Sequence, residues 1–76
     1  MGGFGKRFRE CRRLAGLKQT VAANLMGISQ TAISQYERDQ REPTADVIVR
    51  MADVYDVSID YLLGTTDERE PFYRGE

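Results

Sequence analysis

Histidine is absent from this 76-residue chain. With it go imidazole acid–base chemistry, imidazole metal ligation and the Ser–His and Cys–His nucleophile pairs. A single cysteine, Cys11, can form neither an intrachain disulfide nor a cysteine-rich zinc site. No apolar run comes near the roughly 18–20 residues that span a bilayer, and the N-terminal residues show no signal-peptide pattern. Lys6 stands where a myristoylation signal starting at Gly2 would carry Ser or Thr. The expectation is a soluble, cytoplasmic protein that is not an enzyme and has no metal, cofactor or evident small-molecule substrate.

A net excess of either charge is lacking too. Eleven Lys+Arg against twelve Asp+Glu give a net charge of −1, which by itself speaks against a nucleic-acid partner. The sum conceals a split. Residues 1–41 hold eight basic side chains (Lys6, Arg7, Arg9, Arg12, Arg13, Lys18, Arg38, Arg41) and three acidic ones, net +5. Residues 42–76 hold three basic and nine acidic ones, net −6. Such asymmetry between halves points to polyanion contact by the basic half. With 41% apolar and 30% charged residues the composition is that of a globular protein rather than a disordered one, and the length allows one domain.

Helical periodicity runs through the chain, and no stretch sustains a period of two. Phe4, Phe8, Cys11 and Ala15 form one stripe on a first helix, 5–15, ended by Gly16. A second helix, 19–26, stops at Gly27. Ser29 caps a third, 30–38, and the polar run Asp39-Gln40-Arg41-Glu42-Pro43 forms a loop. Thr44 caps a fourth, 45–55, with Ile48, Met51, Ala52 and Tyr55 inward; Val47 and Val54 widen its apolar face. Ser58 caps a short fifth, 59–63, closed by Gly64. The fold class is therefore all-α: a compact five-helix bundle over 1–64, followed by a polar tail, 65–76.

Two short helices joined by a tight glycine turn make the device that a helix-turn-helix needs. Gly27 permits positive φ in the turn, and Ile28 belongs there only as a plug for the core between the two helices. Ala23 is small enough to let the second and third helices approach, with Ile33 filling the opposite space. At about 100° per residue, Ala32, Ile33 and Tyr36 share the inward face of the third helix. Gln30, Thr31, Ser34, Gln35 and Arg38 share the outward one. Gln can bond adenine bidentately, Thr can meet a thymine methyl, and Ser can donate or accept. A merely solvated face is also polar, although Glu and Lys suit it better.

On these residues a family resemblance becomes specific. Gly16-Leu17-Lys18-Gln19, Ala23, Gly27-Ile28-Ser29-Gln30 and Ile33-Ser34-Gln35-Tyr36-Glu37 resemble the lambda-repressor/Cro-like (XRE-type) helix-turn-helix family of transcriptional regulators. The likeness continues through Pro43-Thr44, Ala52-Asp53, Asp56-Val57-Ser58 and Ile59-Asp60-Tyr61-Leu62-Leu63-Gly64, covering about residues 6–64. The resemblance implies base contacts from Gln30, Thr31, Ser34 and Gln35. It implies phosphate contacts from Gln19, Lys18, Arg38, Arg41 and Arg12. It further implies that Gln19 braces Gln30, that Arg12 and Glu37 tie the first helix to the third, and that Ala23, Gly27, Ile28 and Ile33 are structural. The partner implied is double-stranded DNA, bound by a homodimeric repressor.

Two positions depart from the family pattern. Asp39 stands where glycine usually closes the third helix, and Asp56 replaces the usual Gly or Asn before Val57. With Glu42, Asp39 should weaken attraction to phosphate in that loop. Val21 and Leu25, four apart on the second helix, are apolar where the family is usually polar. They allow three readings: a partner surface, a dock for Phe72 and Tyr73 of the tail, or plain partial exposure. An apolar partner surface would make the chain a protein-interaction module on the same fold, the alternative function. Cys11, on the core stripe, reads as a small buried hydrophobe.

Overall fold

The computed structural model describes residues 3–69, and among them every regular element is a helix. In chain order these are α1 (Phe4–Leu14), α2 (Gln19–Met26), α3 (Gln30–Glu37), α4 (Ala45–Tyr55) and α5 (Ile59–Leu62). None is long and apolar enough to cross a membrane.

Local chemistry sets the helix boundaries. Ser29, Thr44 and Ser58 each accept a hydrogen bond from the backbone N–H three residues on, at 3.0, 3.3 and 2.9 Å, so an otherwise orphaned donor is satisfied at three helix starts. At the other ends one pattern recurs. Beyond α2, Gly27 takes φ 72°, its N–H donates to the Asn24 carbonyl and the Ile28 N–H reaches back to Ala23. This is a Schellman closure. Asp39 and Asp56 close α3 and α4 in the same way, at φ 58° and 57°, with Gln40 bonding Gln35 and Val57 bonding Ala52. Both aspartates thus occupy the left-handed conformation that glycine would reach more freely; the penalty for a non-glycine residue there is about 1–2 kcal/mol, least for Asp and Asn.

The core gathers Phe8 and Cys11 of α1, Ala22, Ala23 and Met26 of α2, Ile33 and Tyr36 of α3, and Met51 and Tyr55 of α4, closed by Val57 and Leu62. Small Ala22 and Ala23 let α2 lie close against both α3 and α4. Ile28 is half-buried against the same cluster, inside the α2–α3 turn. Two inward stripes differ from those expected. On α1, Phe4 is 41% exposed and Ala15 is exposed. The stripe overshoots because α1 buries Gly5, Phe8 and Cys11, while Phe4 is its first residue and Ala15 lies past its last turn. On α4, Val47 is buried and Ile48 only half-buried, since α4 is covered from α2 on one side and from α1 and α5 on the other.

Helix limits shift by a residue from those expected: α1 starts at Phe4 and ends at Leu14, α3 ends at Glu37 and α5 at Leu62. After Gly64 the chain turns back. Ser58 donates its N–H to the Arg69 carbonyl at 2.8 Å and its hydroxyl to the Glu68 carbonyl at 3.2 Å, so 65–69 lies along the start of α5. Phe72 and Tyr73, the candidate docking residues, lie outside the described residues.

The α1–α3 contact has no room to spare. A Cβ on Gly5 would stand 2.4 Å from the Glu37 carbonyl oxygen and 2.7 Å from that of Tyr36. Alanine gains about 1 kcal/mol of helix propensity over glycine, but backbone carbonyls cannot swing aside, and overpacking costs about 1–3 kcal/mol or more. Gly5→Ala is expected to lower stability by about 2 kcal/mol, read as a lower urea midpoint. An unchanged or raised midpoint would mean that α1 can slide off α3 freely.

Candidate nucleic-acid interface

The outward face of α3 is held in place from behind by a buried ion pair. Glu37, the last residue of α3, has a side chain only 2% exposed. Arg12 of α1 meets it with two parallel bonds, Nε to Oε2 at 2.6 Å and Nη2 to Oε1 at 3.0 Å, and donates Nη1 to the Leu17 carbonyl at 2.9 Å. Such fork-to-fork geometry is the strong form of the Arg–carboxylate bond. Arg9, one turn earlier on α1, adds a third contact at 3.6 Å to Oε1.

From Glu37 the order propagates outward. Gln19, the first residue of α2, donates Nε2 to Glu37 Oε1 at 3.0 Å. Gln30, the first residue of α3, donates Nε2 to Gln19 Oε1 at 2.6 Å. The amide directions are dictated rather than free. An ionised carboxylate only accepts, so Gln19 must turn its NH₂ inward and its oxygen toward Gln30. Gln30 must then answer with an N–H, leaving its carbonyl oxygen and its second N–H for the solvent side. A glutamine with one acceptor and one donor so presented matches the N6/N7 edge of adenine.

Burial alone would raise the Glu37 carboxyl pKa. The hydrogen bonds from Arg12 and Gln19, with the charges of Arg12 and Arg9, outweigh it and hold the group below its ordinary value. The same bond raises Arg12 further above its already high value. Glu37 is therefore an anion at neutral pH, as the amide order requires.

Around this relay, Gln30 and Thr31 are exposed while Ser34 and Gln35 are half-buried, on the face opposite Ala32, Ile33 and Tyr36. Arg38 is exposed and its Nη1 lies 3.4 Å from the Ser34 hydroxyl. Arg41 is exposed with its guanidinium 5.9 Å from the Tyr36 ring, and Lys18 is exposed just before α2. Among the described residues neither Arg38 nor Arg41 pairs with a carboxylate. Arg12 is placed differently from the other basic candidates. It is 11% exposed, and each of its three nitrogens already has a protein acceptor. It lies behind the surface rather than on it, because Glu37 and the Leu17 carbonyl draw it inward.

Other functional contacts were not legible as such. Arg9 had only its i,i+3 relation to Arg12 to signal it. Arg50 of α4 reaches the Met26 carbonyl at 3.1 Å and Asp46 at 2.9 Å, steadying the end of α2 beside the turn; nothing in its local sequence marks that. The Tyr55 hydroxyl is buried without a hydrogen-bond partner among the described residues, and burial raises its pKa. Val21 and Leu25 are 44% and 58% exposed.

Comparison with known proteins adds four findings. A helix-turn-helix family model matches residues 8–62. The HTH-type transcriptional regulator ImmR of Bacillus subtilis (strain 168) is 45% identical over 61 residues, 80% of this chain and 48% of that protein. The crystal structure of the P22 c2 repressor in complex with synthetic operator 9T superposes with a TM-score of 0.76 at 32% identity, over 83% of this chain and 96% of that one. The restriction-modification controller protein C.AhdI from Aeromonas hydrophila gives 0.74 at 34% identity, over 78% and 89%. The chain spans about half the length of the curated relatives it matches.

Because the folded carboxyl of Glu37 titrates below its unfolded value, its stabilising effect is complete above the unfolded pKa and is lost as pH falls through the folded one. Glu37→Gln is expected to cost about 3 kcal/mol at neutral pH, since Arg12 loses its counter-charge. The gap from wild type should close as the pH is taken below the carboxylate range. Urea unfolding at neutral and acid pH checks this; a gap that stays constant would show that the Glu37 charge is not what the pair depends on.

Proposed function

The chain belongs to the lambda-repressor/Cro-like helix-turn-helix family, and from that membership we propose that it is a sequence-specific transcriptional regulator of double-stranded DNA. That family comprises DNA-binding regulators and is not one of enzymes. The observation that carries the reading is the relay from Arg12 through Glu37 and Gln19 to Gln30. It fixes an outward-facing amide at the first turn of α3, where a recognition helix meets base edges.

In this scheme α3 enters the major groove, and Gln30, Thr31, Ser34 and Gln35 read bases. Lys18, Gln19, Arg38 and Arg41 bind the flanking phosphates, and Arg12 acts through Glu37 and Gln19 rather than on DNA itself. The regulator works in the cytoplasm as a homodimer. Two recognition helices about 34 Å apart then require a pseudo-palindromic operator, whose occupation represses transcription. The near-neutral net charge keeps general affinity for DNA low and leaves discrimination to uncharged side chains. The exposed pair Val21 and Leu25 favours a second reading, a protein-interaction module on the same fold. Such a module would show no salt-dependent retention on DNA at low ionic strength.

Selection of bound sites from random duplex DNA tests the proposal: an enriched inverted repeat supports readout and dimer symmetry, and no enrichment favours the interaction module. On the selected site, Gln30→Ala or Gln35→Ala should each lose about 1–3 kcal/mol and relax preference at one base pair. An equal loss on every sequence would remove them as base readers. Arg41→Ala should weaken selected and random DNA alike and reduce the slope of log affinity against log salt by about one; an unaltered slope would return Arg41 to the solvent.

A further inference from the structure

Asp39 is an acidic residue in the loop that offers Arg38 and Arg41 to phosphates, in a left-handed conformation that glycine would adopt more easily. Its side chain accounts for its presence. Asp39 Oδ1 accepts the Gly5 N–H at 3.0 Å, across 34 residues of sequence. Gly5 lies in the first turn of α1, where backbone N–H groups have no intrahelical acceptor. Helix α1 has no cap of its own: Gly3 at the N-cap has no side chain, and no acidic residue lies in the first turn. The Asp39 carboxylate supplies both the missing acceptor and a negative charge at the positive end of the helix dipole.

The same junction is where Gly5 presses on the carbonyls of Tyr36 and Glu37. A cleft of about 150 Å³ beside it is lined by Phe4, Phe8, Tyr36, Asp39, Arg41 and Pro43, among others, so the loop after α3 folds against the start of α1. We propose that Asp39 is a positioning residue: a helix cap delivered from a distance, which fastens the end of α3 and the loop bearing Arg38 and Arg41 to α1. Its effect on DNA binding rests on the function proposed above; the cap does not. The proposal reverses the sign that electrostatics alone assigns. A carboxylate near phosphates should hinder binding, whereas a positioning carboxylate helps by holding two arginines in place.

Asp39→Asn and Asp39→Gly separate the two effects. Both remove one negative charge. Asparagine keeps the acceptor oxygen and tolerates the left-handed backbone; glycine loses the acceptor but relaxes the backbone, so the variant still folds. Hydrogen exchange at the Gly5 amide, followed by NMR, should remain slow in Asp39→Asn and become about tenfold faster in Asp39→Gly. Equal rates in wild type and Asp39→Gly would overturn the cap. On a fluorescein-labelled 20-base-pair duplex of arbitrary sequence at low salt, Asp39→Asn should bind at least as tightly as wild type. Asp39→Gly should bind about threefold more weakly than Asp39→Asn, because fewer molecules hold the loop in place. Equal binding by the two variants would overturn the positioning role. Failure of wild type both to bind this duplex at low salt and to enrich any site from random duplex DNA would remove the DNA reading, and Gly5 exchange would still decide the cap.

Discussion

A carboxylate that has been taken out of water must be surrounded by donors, and Glu37 receives them from two helices besides its own. Arg12 and Arg9 approach from α1, Gln19 from α2, and the carboxylate itself ends α3. Removing such a charge from solvent costs several kcal/mol, and only well-formed bonds on both oxygens repay it. The pair therefore tolerates one arrangement of the three helices and penalises others. Hydrophobic packing of Phe8, Met26, Ile33 and Met51 supplies cohesion but little direction, since apolar contacts are indifferent to small rotations. Orientation of α3 relative to α1 and α2 comes from the charged contact.

That contact also explains why amides suffice on the exposed face. A glutamine on a bare helix samples several rotamers and two amide orientations, and ordering it on binding carries an entropic penalty. Gln30 is ordered beforehand by its bond to Gln19, which is ordered by Glu37. The chemistry passes along the relay as an alternation of acceptor and donor, beginning with a group that cannot donate. A short helix with little formal charge on its outward face can thus present a defined hydrogen-bonding pattern.

The parts of this molecule that local chemistry decides were legible in the residues. Ser29, Thr44 and Ser58 announce helix starts because a hydroxyl and an N–H three residues away need no third party. The inward placement of Ala32, Ile33 and Tyr36 follows from helix geometry alone. Where the outcome depends on neighbours, spacing is not enough: Phe4 and Ala15 keep the stripe's spacing but stay exposed at the two ends of α1, and Val47 lies deeper than Ile48. The Gln19–Gln30 bracing came through family resemblance, not spacing, since nothing in two glutamines eleven residues apart specifies contact. Asp39 read as a departure with an unfavourable charge because its partner, a backbone N–H of α1, has no side-chain signature. The turn of 65–69 back to Ser58 was hidden for the same reason, being carried by main-chain carbonyls.

Cys11 lies at the centre of the α1 face, with 0% of its surface exposed, and burial pushes its thiol pKa up to about 11. At neutral pH almost none of it is thiolate, and no reagent can reach it while α1, α3 and α4 stay together. Because the chain has one sulfhydryl, alkylation has a single target, and the target is shielded by packing and by protonation alike. The rate at which it is modified then counts how often the core comes apart, so the protein carries its own clock for opening events.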